Sequence, residues 1–490
     1  MAISDKIKHV VVLMLENRSF DNILGHLHHI NPEIDGITGQ ESNPSKDNPL
    51  PIVIRQGVNF DYESMSVPTP DPGELWTDIN QQIFGLENPA PSDRPLMNGF
   101  VNNYAQANGK PEDIMYYYSA EQVPVLSQLA QAYGVCDRWF ASAPCQTWPN
   151  RFFLHTGTAN GYENNSPAHF PYLMDTIFNR LSEHDQEWGI FYHDFPQTLT
   201  LSKLWPHLNR FHFYHEFKEF AEQGQLPAYS FIEPRFFAEL ENLPNDQHPP
   251  HHVGLGEDLI ADVYNAVRLS PNWPNTLLII IYDEHGGCYD HVAPPAALSP
   301  DRNNHQPFNF DRYGVRIPAV LISPYIKPGT VLRPNDSTAT HIAYPYDHTS
   351  VIATLRKCFN LGKPLSNRDA VAPDLEKVLN LDTPDNNALG TVSPKPYTIP
   401  PNKLAEALAA PLNDFQKEIQ HAAGHLPNVG NAEKTIEAQI VDHIEYLKQE
   451  LGKDGGTLKD ITEHTNPKEA LPYIVGKLQG FLEKGKLSGS

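Results

Sequence analysis

Three short runs of the chain are apolar on both faces: His9 to Leu15 (HVVVLML), Leu277 to Tyr282 (LLIIIY) and Ile317 to Ser323 (IPAVLIS). Runs of this length, rich in aliphatic and β-branched residues and followed by polar or turn residues, predict strands buried on both faces. Tyr229 to Ile232 and Gly189 to Tyr192 are weaker signals of the same kind. Apolar residues recur at helical spacing in Val123 to Tyr133, Gly256 to Arg268 and Ser350 to Phe359. Strands alternating with helices predict an α/β fold with a mostly parallel central sheet flanked by helices.

Two stretches depart from that alternation. From about residue 31 to 99 the chain is dense in Pro, Asn, Asp and Gly, which predicts a long Pro-rich insertion covering one end of the sheet. Beyond about Pro400, Ile436, Ile440, Ile444, Leu447 and Leu451 recur at helical spacing, and Asn413 to Ala423 and Leu471 to Leu482 look similar. The expected organisation is a main unit over residues 1–400 and a helical C-terminal region over 401–490. The apolar stripe of that region packs on the main unit or, as the alternative, meets lipid.

Charge narrows the partners. The chain of 490 residues carries 36 Lys and Arg against 59 Asp and Glu, a formal net charge of −23, and has no basic block. That argues against electrostatically steered binding to nucleic acid or an anionic membrane. The N-terminal apolar run ends abruptly in Glu16-Asn17-Arg18, unlike a signal peptide, and no run approaches the ~20 apolar residues of a membrane span. Cys136, Cys145, Cys288 and Cys358 show no C-x-x-C spacing and read as free thiols. The expected home is cytoplasmic, or outside the cell by a route without a cleaved signal peptide.

Chemistry gathers where apolar strands end, because ligands of open α/β sheets sit at the carboxyl ends of strands. The first strong run leads into Glu16 and Asn17, whose oxygens suit a hard cation; alternatively Glu16 pairs with Arg18 or Arg151 and Asn17 caps a helix. The run LLIIIY leads into Asp283-Glu284-His285-Gly286-Gly287-Cys288-Tyr289-Asp290-His291, acids and imidazoles with two glycines that allow a sharp turn. A third segment, Gln146-Thr147-Trp148-Pro149-Asn150-Arg151, offers a hydroxyl at a Pro-framed turn and an Arg able to meet phosphate, or is an ordinary Pro-rich turn.

Taken together, ENRSFDNILG (Glu16 to Gly25), QTWPNR (Gln146 to Arg151), HPPHHVGLGE (His248 to Glu257), DEHGGCYDHVAPP (Asp283 to Pro295), YGVRIPAVLISPY (Tyr313 to Tyr325) and YDHTS (Tyr346 to Ser350) resemble the bacterial and fungal phosphoesterase family of phospholipases C and acid phosphatases. That family belongs to the alkaline phosphatase superfamily, and the resemblance runs from about residue 7 to 375. It implies an alkaline phosphatase-like core and Thr147 as nucleophile. It also implies Glu16, Asn17, Asp283, Glu284 and Thr147 as ligands of one divalent metal ion (Ca, Mg, Mn or Zn). Asn17 and Arg151 would also meet the substrate, and His248 and His193 resemble the histidines of the phosphate pocket. Glu74 stands where many members place a histidine, which puts one phosphate contact in doubt. Asp290, His291 and His348 only partly supply the ligands of a second metal, and His348 is alternatively a helix cap.

The resemblance leaves the substrate open between a phospholipid diester, as in phospholipase C, and a phosphomonoester, as in acid phosphatase. An inert phosphate-binding module is a further alternative. Trp76, Tyr104, Met115 to Tyr118 and Trp148 either line a rim that shelters a head-group cation or lie in the core.

Overall fold

The computed structural model describes residues 2–303, 305–335, 343–385 and 389–427, with 438–439, 442–443, 445–447 and 463–486. One eight-stranded sheet organises them. Its strands are β1 (His9–Leu15), β2 (Gly134–Cys136), β3 (Trp188–Tyr192), β4 (Phe211–Phe213), β5 (Tyr229–Glu233), β6 (Thr276–Tyr282), β7 (Ala319–Ile322) and β8 (Thr330–Leu332). They stand in the order β8-β2-β7-β6-β1-β5-β3-β4. β7 is antiparallel to both β6 and β2, and the other ladders are parallel.

Each of the expected strands is present, with small shifts at the ends. The third is shorter than the apolar run because Pro318 has no N–H for a ladder, while Ile317 bonds instead to the Trp139 carbonyl at 3.0 Å. Its direction also differs from a uniformly parallel sheet. As a result it is the start of β7 that shares an edge with the carboxyl ends of β1 and β6, and the Phe20 N–H donates to the Arg316 carbonyl at 3.1 Å.

Register fixes the centre of the site. All seven residues of β1 pair with β6, from His9 opposite Thr276 to Leu15 opposite Tyr282. Glu16 and Asp283 therefore leave the sheet side by side, and the Asp283 N–H continues the ladder to the Leu15 carbonyl at 3.1 Å. Helices cover the sheet, α1 (Pro124–Ala132) packing on β2 and β7 and α2 (Val253–Leu269) on β1 and β6, which is why the central strands are apolar on both faces.

The insertion has a small core of its own, including Ile37, Ile52, Ile79, Ile83 and Phe100. At the other end of the chain, α3 (Asp414–Gly424) starts with a capping box between Asn413 and Gln416. The Phe415 ring meets Phe236 edge-on at 4.9 Å, and the Phe481 ring on α4 (Pro467–Lys486) meets Trp205 at 5.6 Å. These tail residues join the main hydrophobic core. Of the expected apolar stripe, Leu447 is buried, whereas Ile436, Ile440, Ile444 and Leu451 lie outside the described residues. Among the described residues no helix is long and apolar enough to cross a membrane. The four cysteines are buried and free.

Candidate active site

Thr147 sits at the first position of a ten-residue helix, Thr147–Thr156, and not in a Pro-framed turn. Pro149 is tolerated there because the first N–H groups of a helix have no partner within it. The buried Thr147 hydroxyl lies 3.4 Å from Glu16 Oε2 and 3.3 Å from Asn17 Oδ1. Asn17 holds a left-handed backbone (φ 53°), which lets its N–H donate to Asp283 Oδ1 at 2.9 Å while its side-chain amide donates to Glu74 Oε1 at 2.7 Å. Five sequence-predicted residues thus come together: Glu16, Asn17, Thr147, Asp283 and Arg151.

Arg151 points at carboxylates. Its Nη2 pairs with Glu16 Oε1, and Nη1 lies 3.7 Å from Glu233 Oε1 at the end of β5. Of the readings open in the sequence, the Glu16–Arg151 pair is the one that forms. Glu284 completes the acidic group: its Oε2 accepts from the Gly286 N–H at 2.9 Å, and its Oε1, like Asp283 Oδ2, is buried without a hydrogen-bond partner. The turn that returns the chain needs Gly286 and Gly287, both at positive φ. A Cβ on Gly286 would overlap the Asn17 carbonyl.

Burial raises the carboxyls of Glu16, Asp283 and Glu284, with Arg151 opposing the rise at Glu16 and Asp283 and Asp283 adding to it at Glu284. Buried acids that repel one another are stabilised by an added cation, and the orphaned oxygens of Asp283 and Glu284 are of the hard type that Ca²⁺, Mg²⁺ or Mn²⁺ takes. In their chemistry these oxygens suit a divalent ion, whereas the groups whose acid and imidazole ligand atoms already lie within 4.8 Å of one another are Asp71, Glu74 and His248, and Asp21, Asp290 and His291.

The insertion contributes what its lack of periodicity concealed. Asp71 and Glu74 meet His248, with Asp71 Oδ1 3.7 Å from Nδ1 and Glu74 Oε1 3.8 Å from Nε2; these three could also hold a metal. His248 Nδ1 lies 2.5 Å from the Pro249 carbonyl, which leaves Nε2 toward Glu74, and burial lowers the imidazole to about 4. His348 makes no side-chain cap; its Nε2 instead holds the Asp283 carbonyl at 2.6 Å.

Other expected residues stand elsewhere. His193 follows β3, bonds to the Glu233 carbonyl at 2.9 Å and stacks on Tyr214, so its partners are not those of Thr147. Asp290 and His291 belong to an ion-pair group in which Arg316 already supplies the positive charge, 3.0 Å from Asp21 and 2.9 Å from Asp290. Tyr104, Met115, Tyr118 and Trp148 are fully buried core residues, and Trp76 stacks on Phe308 at 3.8 Å.

The sheet thus brings a buried hydroxyl and acidic oxygens together at the carboxyl ends of its central strands. The chain belongs to the Phosphoesterase family, whose profile matches residues 7–362. It is a phosphoric ester hydrolase. It is 37% identical over 504 residues to non-specific phospholipase C3 of Arabidopsis thaliana, covering 94% of each chain. It is 38% identical to non-specific phospholipase C6 of the same plant, covering 98% of this chain and 88% of that one. A solved alkaline phosphatase superfamily protein from Vibrio parahaemolyticus is 12% identical, with a TM-score of 0.29 over 52% of this chain and 64% of that one.

Proposed function

We propose that the protein is a phospholipase C-type hydrolase that cleaves the glycerol-side ester of a phospholipid through a phospho-threonine intermediate. The observation that carries the chemistry is the Thr147 hydroxyl, buried against Glu16 Oε2 and Asn17 Oδ1. The likeness to non-specific phospholipases C over nearly the whole chain supports the substrate class.

Thr147 Oγ1 forms a bond to phosphorus, its proton passing to a neighbouring carboxylate, as the bond from phosphorus to the glycerol oxygen breaks and that oxygen takes the proton on from the carboxylate. Water then cleaves the phospho-threonine and releases the phosphorylated head group. His248, neutral and with Nε2 toward Glu74 and the pocket, takes the proton of that water and passes it to Thr147 Oγ1 as the phosphorus bond to that oxygen breaks, which restores both side chains. Arg151 pairs with Glu16, opposes the rise that burial imposes on its carboxyl and holds it in place. Glu16, Asn17, Asp283, Glu284 and Thr147 would hold a divalent ion, which when bound supplies positive charge to the phosphoryl oxygens and lowers the pKa of the hydroxyl. His193 takes no part in this scheme.

Turnover of p-nitrophenylphosphorylcholine and p-nitrophenyl phosphate, with and without EDTA, tests the reading. The diester is expected to be the better substrate and the chelator to abolish turnover. Thr147→Ala should lose more than about three decades of rate while Thr147→Ser keeps part of it. Undiminished turnover by Thr147→Ala would remove the nucleophile assignment, and preference for the monoester would make the protein a phosphatase.

A further inference from the structure

A cavity of about 670 Å³ lies between the insertion, the segment after β5 and the start of the C-terminal region. Its size is that of a site for a small organic ligand. It adjoins the proposed phosphate pocket: Thr69 on its wall is two residues from Asp71, and the ring of His251 on its wall is 5.8 Å from that of His248. The proposed mechanism makes no use of it.

The wall is divided by polarity. Val58, Val67, Leu243, Leu255, Ala407 and Pro411 provide apolar surface. The lining cations Arg55, Lys110 and Lys403 are matched in number by Glu63, Asp113 and Glu406, with Arg55 paired to Asp113 at 2.8 Å and Lys403 to Glu63 at 3.1 Å and Glu406 at 3.3 Å, so the formal charge of the wall is balanced toward a neutral ligand. Beside it, a turn closed by the Glu239 N–H on the Asn242 carbonyl at 2.8 Å carries Leu240 at its tip, 81% exposed. Val58, on the wall itself, is 71% exposed. Two large aliphatic side chains so exposed beside a cavity with an apolar side to its wall suit a surface that meets an apolar phase.

We propose that this cavity binds the glycerol and acyl part of the phospholipid, and that Val58 and Leu240 form a lip touching the bilayer from which the lipid is drawn. The assignment rests on the phospholipase reading above and deepens it by giving the apolar half of the substrate a place. A neutral, chain-bearing moiety also enters an acidic protein without the repulsion that an anionic surface would meet.

The test uses the full chain and three substrates: p-nitrophenylphosphorylcholine, which has no acyl chain; dihexanoyl phosphatidylcholine as monomer, which has chains but no membrane; and long-chain phosphatidylcholine vesicles. Ala410→Trp, at an exposed position on the wall, fills the cavity without disturbing the core. It should lower kcat/KM on the monomeric lipid by about tenfold or more while leaving the chain-free substrate within about twofold. Leu240→Asp, at an exposed position off the wall, should lower the rate on vesicles only. Calorimetric titration with monomeric dihexanoyl phosphatidylcholine gives a reading that does not depend on turnover: binding by the wild type, lost in Ala410→Trp. A lipid that binds in this way without being hydrolysed would support the cavity and overturn the function. Equal effects of Ala410→Trp on all substrates, no effect on any, or no lipid binding by the wild type would overturn the cavity assignment.

Discussion

Asn17 and Asp283 are 266 positions apart in the chain, yet the backbone N–H of one donates to the carboxylate of the other at 2.9 Å. The bond follows from the seven-residue register of β1 on β6, which brings both residues off the sheet at the same level. Gly286 then passes so close to the Asn17 carbonyl that a side chain has no room. Gly286→Ala should therefore push the two strand ends apart and lower activity by at least about a hundredfold, as expected for displacement of a reacting group by an ångström. Metal titration of the variant should show weakened binding, while far-UV circular dichroism stays that of the wild type.

Arg151 should matter for stability as well as for rate. Its guanidinium lies fully buried between Glu16 and Glu233. Arg151→Met leaves two buried carboxylates without their cation, which should cost about 3–5 kcal/mol in urea unfolding. Arg151→Lys, able to keep the charge but not the planar fork, should fall between the two.

Glu257 gives a pH-dependent signature. Its two oxygens accept from the Val125 N–H at 2.5 Å and the Leu126 N–H at 3.2 Å, where α1 begins, and burial pushes its carboxyl up to about 8. The folded protein therefore holds this proton over a range in which the unfolded chain releases it. Its contribution to stability is complete below the ordinary carboxylate range and declines as pH rises toward 8. Melting temperatures from pH 5 to 9 should fall more steeply for the wild type than for Glu257→Gln.

His291 behaves in the opposite chemical sense with the same sign in pH. Burial lowers its pKa, but Asp21 at 2.6 Å and Asp35 at 3.0 Å outweigh burial and carry it up to about 10. The stabilisation is fully present below the ordinary histidine value and is lost as pH rises through about 10. His291→Gln should lower the melting temperature more at pH 6 than at pH 10.5, and equal losses at both would show that the pair is not ionic.

Much of this arrangement was readable before folding is considered. The runs HVVVLML and LLIIIY locate the two central strands because only a chain buried on both faces carries no polar residue for so long, and Glu16 and Asp283 follow them directly. The direction of β7 was not readable, since a strand buried on both faces has the same pattern either way round. Asp71 and Glu74 reach the site from a segment without periodicity, and only the resemblance, which puts a phosphate-pocket histidine at the place of Glu74, pointed there. His193 shows the limit of reading strand ends: β3 is the second neighbour of β1, about 10 Å across the sheet, and a histidine at its end faces other partners.

The position of β1 also bears on how the protein is made. The strand is translated more than 200 residues ahead of its two sheet neighbours, residues 229–233 and 276–282. At ordinary translation speeds the interval is on the order of 10 to 50 s, during which an apolar heptapeptide has neither edge satisfied. The same burial on both faces that aligns Glu16 with Asp283 leaves an apolar segment of the nascent chain exposed until both neighbours are made, the kind of surface that chaperones shelter during synthesis.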